Sequence, residues 1–304
     1  MRFGLAIAAY GEGASGAAVG ELVAAAEELG YDSVWFPDHI AVPDYATEVN
    51  LSPTFLEPLA TCAWGLGRTT RLRFGTDVLV APYRHPLQVA AVAGTLGRLG
   101  GDRLILGVGV GYLRGEFDAL GVGPYEDRGR ITDEFLRRLR SPGEGLHVVD
   151  APAPTPVWVG GNGAPARRRA ALLGDGWHPL WMPDDRYAAG RREILELRAA
   201  AGIAAPFTFS FSCPRTRVLD RDPADWPAPP PRAPEGSEFR YAPAAWTDAD
   251  HRPRLVGTPD QVVADLRLLE AAGVDLVTLR FGVGGLDQLD LFARDVAPAF
   301  GPHR

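Results

Sequence analysis

Short apolar segments that have the character of buried strands alternate along this chain with segments of helical periodicity. Residues 2–9 are a nearly continuous apolar run, residues 17–29 carry apolar side chains at helical spacing, and residues 33–36 are apolar again. This alternation is typical of a parallel sheet that is buried under helices. About eight such units in 304 residues predict a TIM (β/α)8 barrel, formed as one domain over residues 1–304, with a doubly wound α/β sheet as the alternative.

The remaining predicted elements follow the same alternation. Further strands are predicted at residues 72–80, 104–110, 157–159, 175–177, 207–212 and 275–280. Further helices are predicted at residues 54–66, 86–99, 128–140, 164–173, 184–201 and 286–300. Thr258-Pro259-Asp260-Gln261 fits a capping box with proline at the first helical position, so a helix is also predicted from there to residue 272.

Residues 214–253 break the pattern. They include five closely spaced prolines, which exclude a regular helix: Pro227, Pro229, Pro230, Pro231 and Pro234. We interpret the segment as a Pro-rich insertion before the last βα unit. Long loops in compact domains are often lids or partner contacts, and a packed surface loop fits this segment equally well.

Composition excludes several classes of protein. All 31 basic residues are arginine, and without lysine the chain cannot be a Schiff-base aldolase, a PLP enzyme or a Walker P-loop protein. A net charge of −7 and a pI of about 5.4 disfavour nucleic-acid binding. Cys62 and Cys213 belong to no CxxC or Cys/His cluster, so neither a metal site nor a disulfide framework is predicted. No stretch reaches the roughly 18 uncharged apolar residues of a membrane span, and we expect a cytoplasmic protein.

The best acid–base candidates follow the second predicted strand. Active sites of TIM barrels lie at the carboxyl ends of the strands, where Asp38 and His39 would be placed. Histidine exchanges protons near neutral pH, and an adjacent aspartate can bond the edge of a cofactor ring. The pair also fits a helix-capping aspartate beside a structural histidine.

Other strand ends add a carboxylate and a glycine-rich turn. Asp77 interrupts the apolar run at residues 72–80, and because an unpaired buried carboxylate is costly we expect it to be paired, bulged out or part of the site. Gly107, Gly109 and Gly111 match a dinucleotide fingerprint weakly. They better fit a strand and turn where the backbone approaches a flat ring closely.

Residues 160–163, GGNG, precede a predicted helix and form a candidate anion site. Free N–H groups at a helix start attract phosphate, and Arg167 and Arg168 could add positive charge. The same residues also fit a tight turn followed by solvated arginines. His178 and Arg280 end later strands and are candidates for substrate contacts.

Five stretches taken together resemble the luciferase-like monooxygenase superfamily and, within it, the branch that depends on the deazaflavin coenzyme F420. They are residues 32–40, 71–86, 102–121, 156–177 and 256–262. The resemblance implies a TIM-type barrel, usually a homodimer, with the cofactor in the barrel mouth.

The resemblance also assigns roles to individual positions. It places Asp38 and His39 against the deazaflavin ring, a non-proline cis peptide bond at Asp77-Val78 behind the ring, and a phosphate-binding loop at residues 160–163. The residues expected to contact the cofactor are therefore Asp38, Asp77, Val78, Val80, Val110, Gly111, Gly160, Gly161, Asn162 and Gly163.

Tyr112 marks a departure from part of this branch. The sugar-phosphate dehydrogenases carry a catalytic glutamate at this position and use lysines for the substrate phosphate, so that substrate class is disfavoured here. The resemblance implies an oxidoreductase that transfers a hydride between coenzyme F420 and a small organic substrate, with His39, Asp38 and Tyr112 as catalytic residues. The alternatives are an FMN-dependent monooxygenase that uses reduced flavin and oxygen, and a non-catalytic cofactor- or ligand-binding barrel.

Overall fold

Parallel strands close into a barrel. The computed structural model describes residues 1–47, 51–141, 143–147, 155–213, 215–221, 252–282 and 285–301. Its strands are, in chain order, β1 Arg2–Ala6, β2 Ser33–Phe36, β3 Arg73–Thr76, β4 Leu79–Val80, β5 Leu104–Gly109, β6 Val157–Gly160, β7 Gly176–His178, β8 Thr208–Ser212, β9 Arg217–Val218, β10 Val256–Gly257 and β11 Leu276–Leu279. Nine of them form one sheet in the order β3-β2-β1-β11-β8-β7-β6-β5-β4, and pairing of β3 with β5 closes it. Since β3 and β4 are two parts of one barrel strand, the barrel has eight strands, and the predicted (β/α)8 fold is confirmed.

The predicted strand at residues 72–80 is divided into β3 and β4. The peptide bond between Asp77 and Val78 is cis, which is the bond that the resemblance implied. Before it, Thr76 pairs with Phe36 of β2, and after it β4 pairs with β5. The third barrel strand therefore bulges where it reaches the barrel mouth.

Helices connect the strands on the outside of the barrel. They are α1 Gly16–Glu28, α2 Asp44–Thr47, α3 Pro58–Leu66, α4 Pro86–Gly100, α5 Arg114–Leu120, α6 Arg128–Arg140, α7 Ala164–Leu173, α8 Asp184–Ala200, α9 Pro259–Ala271 and α10 Leu286–Asp295. The capping box predicted at Thr258 and Gln261 is confirmed at the start of α9. No helix in the described ranges is long and apolar enough to cross a bilayer.

The start of α3 differs from the prediction, which began the helix at residue 54. Pro58 is the first helical residue, and the Glu57 side chain caps the helix by accepting from the amide of Ala60 at 2.7 Å. The preceding backbone pairs with the loop after β1, where the Leu56 amide donates to the Ala9 carbonyl. Long-range pairing thus replaces the extra helical turn.

Two further differences lie in short or terminal helices. α5 was not predicted, because its seven residues make only about two turns and give little periodic signal. α10 ends at Asp295, and residues 297–300 form a 3-10 turn, since the residue before Pro298 is disfavoured in an α-helix.

The edges of the Pro-rich segment are joined by a small second sheet. β9 and β10 pair in parallel, with Arg217 opposite Val256 and Val218 opposite Gly257. Residues 214 and 222–251 of the predicted insertion lie outside the described residues.

The centre of the barrel holds an aromatic layer. Trp35 of β2 is fully buried and packs with Ala6, Ile105, Trp158 and Leu276. Its indole is stacked on the imidazole of His178, with ring centroids 4.7 Å apart and an interplanar angle of 17°. This layer supports the polar residues at the carboxyl ends of the strands.

Candidate active site

A cavity of about 420 Å³ opens at the carboxyl ends of the barrel strands. The predicted site residues on its wall are Asp38, His39, Asp77, Val78, Val80, Val110, Gly111, Tyr112, Gly160, Gly161, His178 and Arg280. Asn162 and Gly163, which follow Gly160 and Gly161 in the chain, are not part of the wall. Almost all residues that the sequence nominated therefore converge on one cavity.

His39 is held on this wall between two partners. Its Nδ1 lies 2.9 Å from Oε2 of Glu116, and its Nε2 lies 3.3 Å from the hydroxyl of Tyr112. The edge of its ring packs against Phe55, with centroids 4.9 Å apart. We call His39, Tyr112 and Glu116 the His39 group.

Glu116 was missed by the sequence analysis. Its side chain is fully buried in the first turn of α5 and accepts hydrogen bonds from the amides of Ile40 and Ala41 and from the hydroxyl of Tyr83. Burial acts to raise the pKa of this carboxyl, but the hydrogen bonds from His39 and the two amides outweigh it and leave the pKa below its usual range. The available signal was its place in the stretch 102–121 that carried the family resemblance.

Asp38 is engaged by the protein itself. Arg84 binds both carboxylate oxygens, at 2.6 and 2.8 Å, and the Val80 amide donates to the same carboxylate at 2.8 Å. Arg84, which the sequence analysis did not single out, also contacts Glu57 at 2.8 Å. Burial raises the pKa of Asp38, and Arg84 acts in the opposite direction. The carboxylate thus fastens the end of β2 to β4.

A second polar group, here called the central cluster, spans the barrel axis. It consists of Asp77, His178, Ser210, Ser212 and Arg280. Asp77 Oδ1 lies 3.2 Å from His178 Nε2, and its Oδ2 accepts from Ser212 Oγ and from Arg280, each at 3.1 Å. Burial acts to raise the pKa of Asp77, but His178, Arg280 and Ser212 together lower it to about 2. The expectation that Asp77 is paired is confirmed.

The glycines around the bulge make room for Val78. A Cβ atom on Gly109 would lie 2.4 Å from Val78 Cγ2, and one on Gly160 would lie 2.9 Å from Val78 Cγ1. Gly111 has a φ of +76°, and a Cβ there would meet Val80 at 2.7 Å. The sequence predicted that the glycine backbone approaches a flat ring closely. In this structure Gly109 and Gly111 closely approach the side chains of the bulged third strand.

The loop at residues 160–163 offers fewer free amides than expected. Pro165 has no N–H, and the amides of Ala166 and Arg167 both donate to the Gly163 carbonyl. Arg167 folds back to bond the Asn162 carbonyl at 2.7 Å and Glu193 at 2.5 Å, while Arg168 is exposed. Gly160 and Gly161 of the loop line the cavity, but neither Arg167 nor Arg168 is part of the cavity wall.

Aromatic and apolar side chains that the sequence analysis did not nominate complete the wall. Tyr10 and Phe55 are stacked, with centroids 5.0 Å apart, across the pairing between the loop after β1 and the segment before α3. The other newly found members are Pro37, Leu51, Leu180, Trp181 and Cys213. They lie mainly in loops, where periodicity gives no signal.

The cavity fits a flat organic cofactor in size and in chemistry. Pockets of 300–1,000 Å³ with apolar walls and few polar groups are typical of such sites. Arg280 on the cavity wall has a buried Nε atom without a hydrogen-bond partner among the described residues. Among those residues, no three His, Cys, Asp or Glu side chains are grouped as metal ligands.

Comparison with known proteins agrees with this architecture. An uncharacterized protein of Mycobacterium tuberculosis is 36% identical over 219 residues, which cover 61% of this chain and 73% of the relative. The F420-dependent glucose-6-phosphate dehydrogenase of Nakamurella multipartita is 32% identical over 195 residues, 58% of this chain and 55% of that protein.

Solved structures share the whole fold. A monooxygenase, RslO1, from Streptomyces bottropensis superposes with a TM-score of 0.74 at 23% identity, covering 99% of this chain and all of the other. An F420-dependent secondary alcohol dehydrogenase bound to an F420-acetone adduct gives 0.76 at 17% identity, covering 99% of both chains. The oxygenating component of a Pseudomonas putida Baeyer-Villiger monooxygenase, in complex with FMN, gives 0.71 at 17%, covering 98% of both.

The family model described as luciferase-like monooxygenase matches residues 1–276. Since the match spans nearly all of the 304 residues, the chain belongs to the luciferase-like monooxygenase family.

Proposed function

We propose that this protein is an oxidoreductase that transfers a hydride between coenzyme F420 and a small organic substrate in the cavity at the barrel mouth. The observation that carries the proposal is the fixed position of His39 on the cavity wall, between Glu116 and Tyr112. Hydride transfer to or from a carbonyl or alcohol is accompanied by movement of a proton, and the His39 group provides a place for that proton.

Glu116 determines which nitrogen of His39 is available. The carboxylate accepts hydrogen bonds on both oxygens, so Nδ1 of His39 donates to it. Nε2 is then the nitrogen that accepts from Tyr112 or exchanges a proton with a ligand in the cavity. Tyr112 can pass a proton between Nε2 and the cavity. Both are proposed as catalytic residues, and Glu116 as the residue that positions His39.

The cofactor would be held by the cavity walls around the bulged strand. Val78, Val80, Val110 and Gly111 present apolar side chains and backbone to it. Asn162 follows the wall residue Gly161 without lining the wall itself, and its buried Oδ1 has no partner among the described residues. When bound, the deazaflavin supplies the hydride chemistry. Because Arg84 and the Val80 amide occupy its carboxylate, we propose that Asp38 positions this wall and does not react itself.

An FMN-dependent monooxygenase is the second candidate. It is supported by the fold shared with the FMN-bound Baeyer-Villiger component and with the monooxygenase of Streptomyces bottropensis. The F420 proposal is supported by the dehydrogenase relative at 32% identity and by the alcohol dehydrogenase with the F420-acetone adduct.

Parallel titration of the purified protein with F420 and with FMN tests the choice of cofactor. We expect F420 to bind at least about tenfold more tightly, a difference of about 1.4 kcal/mol. Reduced F420 should then be oxidised by a panel of small aldehydes, ketones and enones under anaerobic conditions. Binding of FMN alone, with oxygen consumption in the presence of reduced FMN, would overturn the F420 proposal and support the monooxygenase.

A matched pair of histidine variants tests the role of His39. His39→Ala should lower the rate of hydride transfer on the order of 10²-fold or more, while F420 binding changes little. His85→Ala is the control, since His85 is exposed and is not on the cavity wall. Equal rates of hydride transfer in wild type and His39→Ala would show that His39 is not catalytic, whereas binding without turnover in both proteins would favour a non-catalytic binding barrel.

A further inference from the structure

The central cluster combines one carboxylate with two basic side chains. Asp77 lies between His178 and Arg280. The remaining members, Ser210 and Ser212, are neutral. The net charge of the cluster at neutral pH is therefore decided by whether His178 carries one ring proton or two.

The partners of His178 favour two ring protons. Ser210 Oγ lies 3.0 Å from the Trp177 carbonyl, which can only accept, so the single hydroxyl hydrogen is directed there. Ser210 Oγ also lies 2.7 Å from His178 Nδ1, and this contact then requires Nδ1 to donate. On the other side, Nε2 faces the carboxylate of Asp77, an acceptor. A ring that donates from both nitrogens is an imidazolium.

Two further neighbours are compatible with this charge. The indole of Trp35 is stacked against the ring of His178 at 4.7 Å, and the face of an indole attracts a cation. Cys213 also lies on the cavity wall, and burial raises the pKa of its thiol, so it adds no negative charge. Asp38, the other carboxylate on the described wall, lies outside the cluster and is bound by Arg84, which also pairs with Glu57.

Arg280 retains hydrogen-bonding capacity. One guanidinium nitrogen contacts Asp77, whereas Nε is buried without a partner among the described residues. With a cationic His178, the cluster has two positive charges and one negative charge. Its excess positive charge is at the cavity, because His178, Asp77 and Arg280 all line the wall.

We propose that the central cluster is a cationic subsite that binds a planar anionic group of the substrate, a carboxylate or an enolate, through the guanidinium of Arg280, with the imidazolium of His178, whose two N–H groups bond Ser210 and Asp77, supplying the excess positive charge. This inference rests on the proposed function only in using the same cavity, and it names the chemical class of the substrate. The aromatic wall formed by Tyr10 and Phe55 lies in that cavity too, so an aromatic carboxylate is a suitable probe.

The charge of His178 can be measured directly on the protein without cofactor. In a sample labelled with ¹⁵N-histidine, both ring nitrogens of His178 should show the shifts of protonated nitrogen at pH 7, assigned by their loss in His178→Gln. A His178 spectrum with one unprotonated nitrogen would overturn the proposal.

Charge counting then predicts a pattern among variants. Benzoate should bind the wild type on the order of tenfold more tightly than benzamide, its uncharged analogue. His178→Gln and Arg280→Gln each remove one positive charge and should reduce this ratio to about one. Asp77→Asn removes the negative charge and should keep the preference for benzoate. Since Asp77→Asn disturbs the same contacts, it controls for a structural effect. A ratio that is unchanged in His178→Gln would contradict the proposal.

A final titration tests whether the anionic group that binds the central cluster belongs to the substrate or to the cofactor. Benzoate should still bind, with the same preference over benzamide, when the protein is saturated with F420. Displacement of benzoate by F420 would overturn the assignment to the substrate. If F420 does not bind but the benzoate pattern holds, the cofactor proposal fails while the cationic subsite stands.

Discussion

Nδ1 of His39 lies 2.9 Å from Oε2 of Glu116, a residue 77 positions later in the chain. The carboxylate is buried and is also held by the amides of Ile40 and Ala41, the two residues that follow His39. Glu116 therefore orients the ring of His39 and fixes the backbone that carries it.

Glu116→Gln should change the tautomer of His39. The glutamine oxygen can still accept from the Ile40 and Ala41 amides, so its NH2 group would face His39 Nδ1 and donate to it. The ring proton then moves to Nε2, which ¹⁵N NMR of the cofactor-free protein detects. Loss of the charged acceptor should also destabilise the protein by about 1–3 kcal/mol.

Glu126→Gln is the matched control for that variant. Glu126 forms an exposed ion pair with Arg114, so neither the His39 spectrum nor the stability should change appreciably. A His39 that keeps its proton on Nδ1 in Glu116→Gln would show that Glu116 does not set the tautomer.

Arg84→Met should be strongly destabilising. It leaves the buried carboxylate of Asp38 without its cation, which costs about 3–5 kcal/mol in comparable buried pairs. Asp38→Asn combined with Arg84→Met removes both charges, and the double variant should be more stable than the sum of the single effects predicts, by about 1 kcal/mol or more. Denaturant unfolding of the wild type, the two single variants and the double variant measures this double-mutant cycle. Strictly additive losses of stability would show that Asp38 and Arg84 are not directly coupled.

Asp77→Asn should lower stability in a pH-dependent way. The pKa of Asp77 is about 2 in the folded protein instead of its ordinary 3.8, so the ionised form is favoured by about 2 kcal/mol. Because the pKa is depressed, this stabilisation is complete above about pH 4 and is lost as the pH falls from about 4 to 2. The difference in the free energy of unfolding between wild type and Asp77→Asn should therefore become smaller as the pH falls from about 4 to 2.

The exposed pair Arg294 and Asp295 supplies the control for Asp77. Asp295→Asn should leave the stability at pH 7 nearly unchanged, because exposed ion pairs contribute little. An Asp77→Asn variant that differs from wild type by the same amount at pH 3 and pH 7 would show that the charge of Asp77 is not the cause.

Gly109→Ala should destabilise the barrel by about 1–3 kcal/mol, because its Cβ would lie 2.4 Å from Val78 Cγ2. Adding Val78→Ala removes the clash and should restore part of the loss, as thermal or denaturant unfolding would show. Gly16→Ala is the control, since a Cβ there meets no atom within 4 Å. An equal loss in both alanine variants would exclude the contact with Val78 as the reason.

The alternation of strands and helices, and the residues at the strand ends, could be predicted from the sequence because both are local patterns. The helices at residues 128–140 and 164–173 have the predicted bounds. Asp77 was recognisable as a carboxylate in an apolar run, and the resemblance supplied the cis bond beside it.

Partners across the barrel could not be predicted in the same way. Asp77 meets His178 and Arg280, which follow 101 and 203 positions later, and only the closed sheet brings these side chains together. Arg84 and Glu116 were missed for the same reason, because each gains its role from a distant residue in the loop after β2, Asp38 for Arg84 and His39 for Glu116.

The pairing of β9 with β10 has a consequence for how this barrel can diversify. The Leu219 amide bonds the Gly257 carbonyl at 2.8 Å, and the Arg217 amide bonds the Leu255 carbonyl at 2.9 Å, so the stretch between them departs and returns at adjacent points. Once its two ends are joined, lengthening such a stretch adds entropy cost only logarithmically. The chain can therefore accommodate changes in the length of that stretch while the paired residues at its two ends, and the barrel strands, keep their register.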